Sequence, residues 1–290
     1  GATAGIWLQG GPGTVVNTNG ASIVSENAAI VLLEGGSVAN GAGSTIEGDI
    51  QGIYADGGTT SLSNAGHIAG DVALSADDDN HVTLYTGGSI DGNLTINDRA
   101  GSALTFDGAG DQFLSDAVTG DIFFGGLLTK QGAGTWTIDK DLVTGETHVT
   151  AGGLIVGAGG QGTLTGDVHV SFGARLGGSG TIFGNVVADG EVAPGNSPGV
   201  LNVVGDYTQT AGSTFVAEID TDSGLYDQIN VSGMATIDNG AILNINRTGS
   251  APYQVGTQYV FLSATGGVTG SYIVTGDLAI SPFLALADYY

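Results

Sequence analysis

The stretches IEGDI (46–50), IAGDV (68–72) and IDGNL (90–94) begin 22 residues apart, twice in succession. Each reads aliphatic, any residue, Gly, Asp or Asn, aliphatic. Further copies are VTGDI (118–122), LTGDV (164–168), IFGNV (182–186) and VTGDL (274–278). Ile23 precedes Ile46 by 23 residues, and Asn17, Asn40 and Asn64 recur at spacings of 23 and 24. A fixed period of this length is the signature of a stacked architecture.

Gly-Asp and Gly-Asn allow positive φ and a side-chain-to-backbone bond, so the unit predicts a bend between two short strands with its aliphatic residues pointing inward. A period near 22 holds three strands of four or five residues and three turns, which is one rung of a parallel β-helix. Rungs would stack about 4.8 Å apart, with backbone hydrogen bonds along the long axis. Asn17, Asn40 and Asn64 would then form an amide ladder. A β-sandwich has no need of the same bend every 22 residues.

Composition agrees. Glycine supplies 54 of 290 residues but proline only 5, without a collagen triplet, and the hydrophobic fraction of 41% argues against disorder. Helical patterning is missing, so strands and turns account for nearly the whole chain. Five Lys and Arg against 29 Asp and Glu give a net charge of −24. That field repels phosphate backbones and anionic membranes, which argues against nucleic acid or a membrane as partner and favours solubility as a monomer. Cysteine is absent, so neither disulfide nor thiolate metal site can form. No signal sequence and no apolar run long enough to span a bilayer as a helix is evident, so the chain reads as a mature or excised segment.

After Gly190 the texture changes. Residues 199–220 carry longer strand runs with Tyr207 and Phe215, and 226–245 alternate about Ser232-Gly233 and Asn239-Gly240, the latter a favoured hairpin dipeptide. The expectation is a hairpin-rich cap whose larger side chains seal the last rung. The chain thus divides into a β-helix stalk (1–176) and C-terminal rungs with a cap (177–290), continuous with it.

Two long motifs resemble the C-terminal part of Gram-negative autotransporter passenger domains. LLTKQGAGTWTI (127–138), followed by TGETHVTAGGLIVG (144–157), is similar to that family's passenger-associated repeat. Residues 177–220 with YDQINVSG (226–233) resemble its autochaperone region. The resemblance implies a right-handed parallel β-helix exported through the protein's own outer-membrane barrel and displayed at the cell surface. There it would act as a stalk or adhesin binding a host or bacterial surface protein or glycan. It also implies that the C-terminal segment folds first and templates the rungs behind it, a useful nucleus because parallel pairing is slow. The structural residues of this region are Gly184 and Asn185, the corner Pro194, Gly195, Asn196, Ser197, Pro198 and Gly199, then Tyr207, Phe215, Asp227, Gly233 and Gly240. The chain ends at LALADYY, with neither linker helix nor barrel, and shows no protease module.

Several motifs could carry chemistry. APGNSPG (193–199) spells G-x-S-x-G, but a nucleophile turn needs a following helix and an N–H behind the serine, which Pro198 removes. A rigid corner with φ fixed by two prolines is the better reading. GAGGQG (157–162) fits a dinucleotide fingerprint but is followed by strand-like TLTGDVHV. His67, His81, His148 and His169 are scattered without ligand spacing, outward on strands or turns. DDDN (77–80) offers hard oxygens for calcium without an EF-hand pattern and reads as a solvated loop. Trp7 and Trp136 are expected in or beside the core. Parallel β-helices also host glycan lyases and hydrolases, which use paired carboxylates and, for polyanions, clustered cations. Arg99, Lys130, Lys140, Arg175 and Arg247 are widely spaced, so no catalytic residue, cofactor or metal is assigned. A non-catalytic segment is the expectation, with the stalk of a passenger carrying a serine protease or esterase, and a glycan-active β-helix, as the alternatives.

Overall fold

A computed structural model describes residues 4–97, 99–195, 197–281 and 284–285. The chain divides into two compact units, 1–147 and 148–290. Both units are parallel β-helices.

In the first unit one side of the coil is Gly13–Asn17, Gly36–Asn40, Thr60–Asn64, His81–Tyr85, Ala103–Asp107 and Leu127–Lys130, each parallel to the next. A second side runs through Ile6–Leu8, Ala28–Leu32, Thr45–Ala55, His67–Ala73, Leu94–Asn97 and Ile122–Phe124. The repeat is in register: Ile23 pairs with Ile46, Ile46 with Ile68 and Ile68 with Ile90. Ile46, Ile68, Ile90 and Val118 are fully buried, so each rung covers the aliphatic surface of the one before. The corner need not interrupt the ladder, because Thr45–Ala55 passes through it as one strand. Extra residues in that rung displace the register. Ile50 is exposed, and Ile53 takes the inward place, opposite Val72.

A short helix, Leu114–Ala117, enters between Gln112–Phe113 and Ile122–Phe124 and buries Leu114 and Ala117. The next rung carries the motif 127–138. Trp136 is fully buried, stacks on Phe106 at 4.3 Å, and donates its indole N–H to the Asp107 carbonyl. Trp7 corrects the expectation made for it. Its partner in the ladder is Val31, and the ring is half exposed because it stands on the outer face of its strand.

The second unit has three parallel columns. One holds Thr163–Val170, Thr181–Phe183, Val200–Val203, Gln228–Val231 and Leu262–Ala264. The next holds Val186–Ala188, Tyr207–Gln209, Ala235–Ile237 and Val268–Gly270. The third runs from Gly153–Val156 through Arg175–Gly178, Glu191–Pro194, Thr214–Asp220 and Ile242–Thr248 to Ile273–Gly276. The run of hairpins expected across 199–275 is therefore not formed, because the named strands there pair in parallel. A local antiparallel bridge joins Ile219 to Tyr226, where the Asp220 N–H donates to the Leu225 carbonyl and the Asp227 N–H to that of Glu218. Asn239-Gly240 turns the chain from one column to the next, with the Ala241 N–H on the Asp238 carbonyl. Burial decides this: parallel stacking covers both edges of each short strand, whereas a lone hairpin would leave one uncovered. Further along the chain, Ala279–Ser281 and Leu284–Ala285 form an antiparallel strand pair.

Candidate functional site

At five Gly-Asx corners the Asp or Asn side chain holds rung to rung. In the first unit Asp71 Oδ1 accepts the Asn93 N–H at 2.8 Å, and Asn93 Oδ1 accepts the Asp121 N–H at 2.8 Å. In the second, Asp167 Oδ1 accepts from Asn185 N (2.7 Å), Asn185 Oδ1 from Asp206 N (2.9 Å) and Asp206 Oδ1 from Met234 N (2.8 Å). The expected side-chain-to-backbone bond is therefore made to the next rung and not within the turn. The glycines have a matching reason. A Cβ on Gly184 would overlap the Gly166 carbonyl, one on Gly205 that of Gly184, and one on Gly233 would lie 2.6 Å from the Gly205 oxygen. Close backbone approach, not positive φ, is what Gly184, Gly205 and Gly233 supply. Gly205-Asp206 escaped the sequence pattern because Tyr207 stands where an aliphatic residue is required. The last copy, 274–278, lies on another side of the coil, with Gly276 opposite Ile245 at φ +101°.

The amide ladder is formed as read. Asn17 Nδ2 donates to Asn40 Oδ1 and Asn40 Nδ2 to Asn64 Oδ1, both at 2.9 Å, and all three are buried. Their second amide hydrogens go to the Thr45, His67 and Ser89 carbonyls. Lys130 is fully buried. Its Nζ donates to the Gln131 and Gly132 carbonyls, and burial pushes its pKa down against the opposing Asp107 charge.

The 193–199 corner is clamped from outside itself. Pro194 ends a strand, Gly195 sits at φ +92° and Ser197 at φ +60°, and the Ser197–Pro198 peptide is cis. Asn196 lies outside the described residues. Asp227, nearly fully buried, accepts the Gly199 N–H on Oδ1 at 2.7 Å and the Glu218 N–H on Oδ2 at 2.9 Å. Burial raises its pKa to about 6, the two N–H bonds oppose that, and the Glu218 charge adds to it. The Ser197 hydroxyl donates to the Glu218 carboxylate. A strand, Val200–Val203, follows where a nucleophile turn requires a helix. Glu218 gave no sequence signal, because its role depends on which rung lies beside the corner.

Tyr207 and Phe215 lie inside the coil, both fully buried. The Tyr207 hydroxyl donates to Gln209 Oε1 at 2.9 Å, and burial pushes its pKa upward. Phe215 meets Phe261 and Tyr272 edge-on at 6.5 and 6.2 Å. Gly240 turns at φ +102°, its carbonyl accepting from Gly212 N.

The remaining motifs resolve as structure. In 157–162, Ala158 and Gln161 exchange two backbone bonds around Gly159 and Gly160, both at positive φ, a tight hairpin turn. The 77–80 loop is stapled by buried Asn80, whose amide donates to the Ser75, Asp78 and Ile96 carbonyls, while Asp79 pairs with Arg99. The histidines are less scattered than they read. Stacking brings His148 and His169 to 5.9 Å, edge to face, with His169 Nε2 3.0 Å from Asp189. Among the described residues no group of three or more His, Asp or Glu side chains is arranged to hold a metal ion, and no helix is long and apolar enough to cross a membrane.

No family model matches the chain. It is similar to an extracellular serine protease of Serratia marcescens, 31% identical over 166 residues, which are 54% of this chain and 15% of that protein. The chain thus spans a small part of the curated relative it matches.

Proposed function

We propose that this chain is a non-catalytic segment of a secreted autotransporter passenger: a β-helical stalk whose C-terminal coils act as the folding nucleus during export. The observation that carries the reading is the use made of the repeat. The polar and glycine residues of the corners are committed to bonds and contacts between successive rungs, which builds length and stiffness and not a reaction centre. The aromatic filling of the last coils supports the nucleus role, since large buried side chains give those rungs more apolar contact than the Gly-rich ones before them. Outward-facing strands would present the binding surface of an adhesin.

Deletion of 177–275 from the parent protein tests the nucleus. The expected result is poor export or protease sensitivity at the cell surface; equal surface levels and equal resistance would overturn it. The similarity to an extracellular serine protease favours a second reading of the whole protein, in which this stalk carries a protease module. A Ser-His-Asp module encoded upstream of Gly1, with inhibitor-sensitive proteolysis by the full-length protein, would establish it. A parent without such a module would refute it.

A further inference from the structure

The register of the final rung is not fixed by burial. All three residues of Val268–Gly270 are exposed, and Ile273–Gly276 is exposed except at half-buried Val274. Strands slip by two residues without changing faces, so a strand that buries nothing is weakly specified in register. Yet both are aligned, Thr236 with Thr269 and Leu243 with Val274.

Two features act at this point. Gly270 lies against Ile237, where a Cβ would overlap the Ile237 carbonyl oxygen. Two residues later Tyr272 reaches down through the coil, 63 residues back in sequence, and its hydroxyl donates to Gln209 Oε1 at 2.8 Å. The Tyr207 hydroxyl donates to the same oxygen, and Gln209 is fully buried. Gln209 Nε2, also buried, has no hydrogen-bond partner. With the amide turned over, the nitrogen would meet both hydroxyls and the oxygen would be the orphan. Either way one buried polar atom is unsatisfied, a cost an apolar side chain of similar volume would not carry.

We propose that Tyr207, Gln209 and Tyr272 form a register lock: a buried polar cluster that selects the native alignment of the last rung at some expense of stability. In a slipped rung the Tyr272 hydroxyl misses Gln209, whose Oε1 keeps only the Tyr207 donor. The native register alone brings both hydroxyls onto that buried oxygen. This inference is independent of export and of the proposed function.

The chain has no cysteine, so an introduced pair reports alignment cleanly. In the purified chain, Thr236→Cys with Thr269→Cys reads the native register, and Thr236→Cys with Ser271→Cys reads a two-residue slip. Neighbouring strands place in-register Cα atoms within disulfide range. In the parent background the native pair should cross-link about tenfold more than the slipped pair, the factor a lost hydrogen bond of ordinary strength corresponds to. Adding Tyr207→Phe, Gln209→Leu and Tyr272→Phe together should bring the two yields close, with the melting temperature unchanged or raised. Native-only cross-linking in that variant would overturn the lock. If the triple variant does not fold, Tyr272→Phe alone is read in the same pairs: slipped cross-linking supports the lock, and its absence overturns it.

Discussion

The early coils of the first unit and the last coils of the second hold themselves together differently. Between residues 13 and 97 the rungs repeat at short, nearly constant spacing, and like stacks on like: Ile on Ile, Asn on Asn. Toward the end of the second unit the rungs lengthen. Corner bonds that link residues 18 and 21 apart give way to one linking residues 28 apart, and Ser263 bonds Asn230 across 33. Longer rungs enclose more interior, and aromatic side chains fill it. Periodicity sets alignment in the first region for nothing extra, whereas the second needs individual large or polar side chains to do so.

Truncation of those side chains should give the largest effects. Phe215→Ala empties a fully buried site in contact with Phe261 and Tyr272, and should cost about 3–5 kcal/mol in urea unfolding. A loss below about 1 kcal/mol would mean the aromatic interior is loosely packed and the contrast with the first unit is false.

Asp227 comes next and has a definite sign. Its folded pKa, about 6, lies above that of the unfolded chain, so the native state holds the proton more tightly. Stability from this group is greatest below about pH 4, falls as pH rises through 4 to 6, and is level above, with a span on the order of 2–3 kcal/mol. The difference between parent and Asp227→Asn, followed by thermal melting from pH 3.5 to 8, should show that slope. Parallel curves would remove Asp227 as its source.

The two ladders sharpen the comparison at smaller scale. Asn40→Ala strips a buried rung of the amide ladder and leaves Asn64 Oδ1 and the His67 carbonyl without their donor, a loss of about 1–3 kcal/mol. Asn185→Ala removes an acceptor at an exposed corner, where water replaces it for the Asp206 N–H, at about 0.5–1 kcal/mol. Both are measured as shifts in denaturant midpoint at constant slope. Equal losses would show that burial of the ladder is irrelevant to its strength.

Much of the fold was legible in the repeat. Ile46, Ile68 and Ile90 stack as their spacing required, and the three asparagines form the ladder that their recurrence implied. The corners were legible as places but not in mechanism, because Asp167 and Asn185 bond a residue one rung away, and nothing local reveals that partner. Asn239-Gly240 misled for a related reason. The dipeptide reports a tight turn, but whether the next strand pairs with the last one or with the rung before is a matter of burial. Glu218, Gln209 and Tyr272 were invisible, since each acts on a residue at least 21 positions distant.

What the amino-acid order determined by itself was the coil: a period that only stacked turns satisfy, aliphatic residues at the inward positions, and an absence of amphipathic helical patterning. What only the folded molecule decided was how each turn is registered on its neighbour. Hydrophobic periodicity is a property of one strand and its two faces, while alignment is a property of pairs, fixed by contacts such as Asp227 on Gly199 and Tyr272 on Gln209 that exist only once distant segments meet.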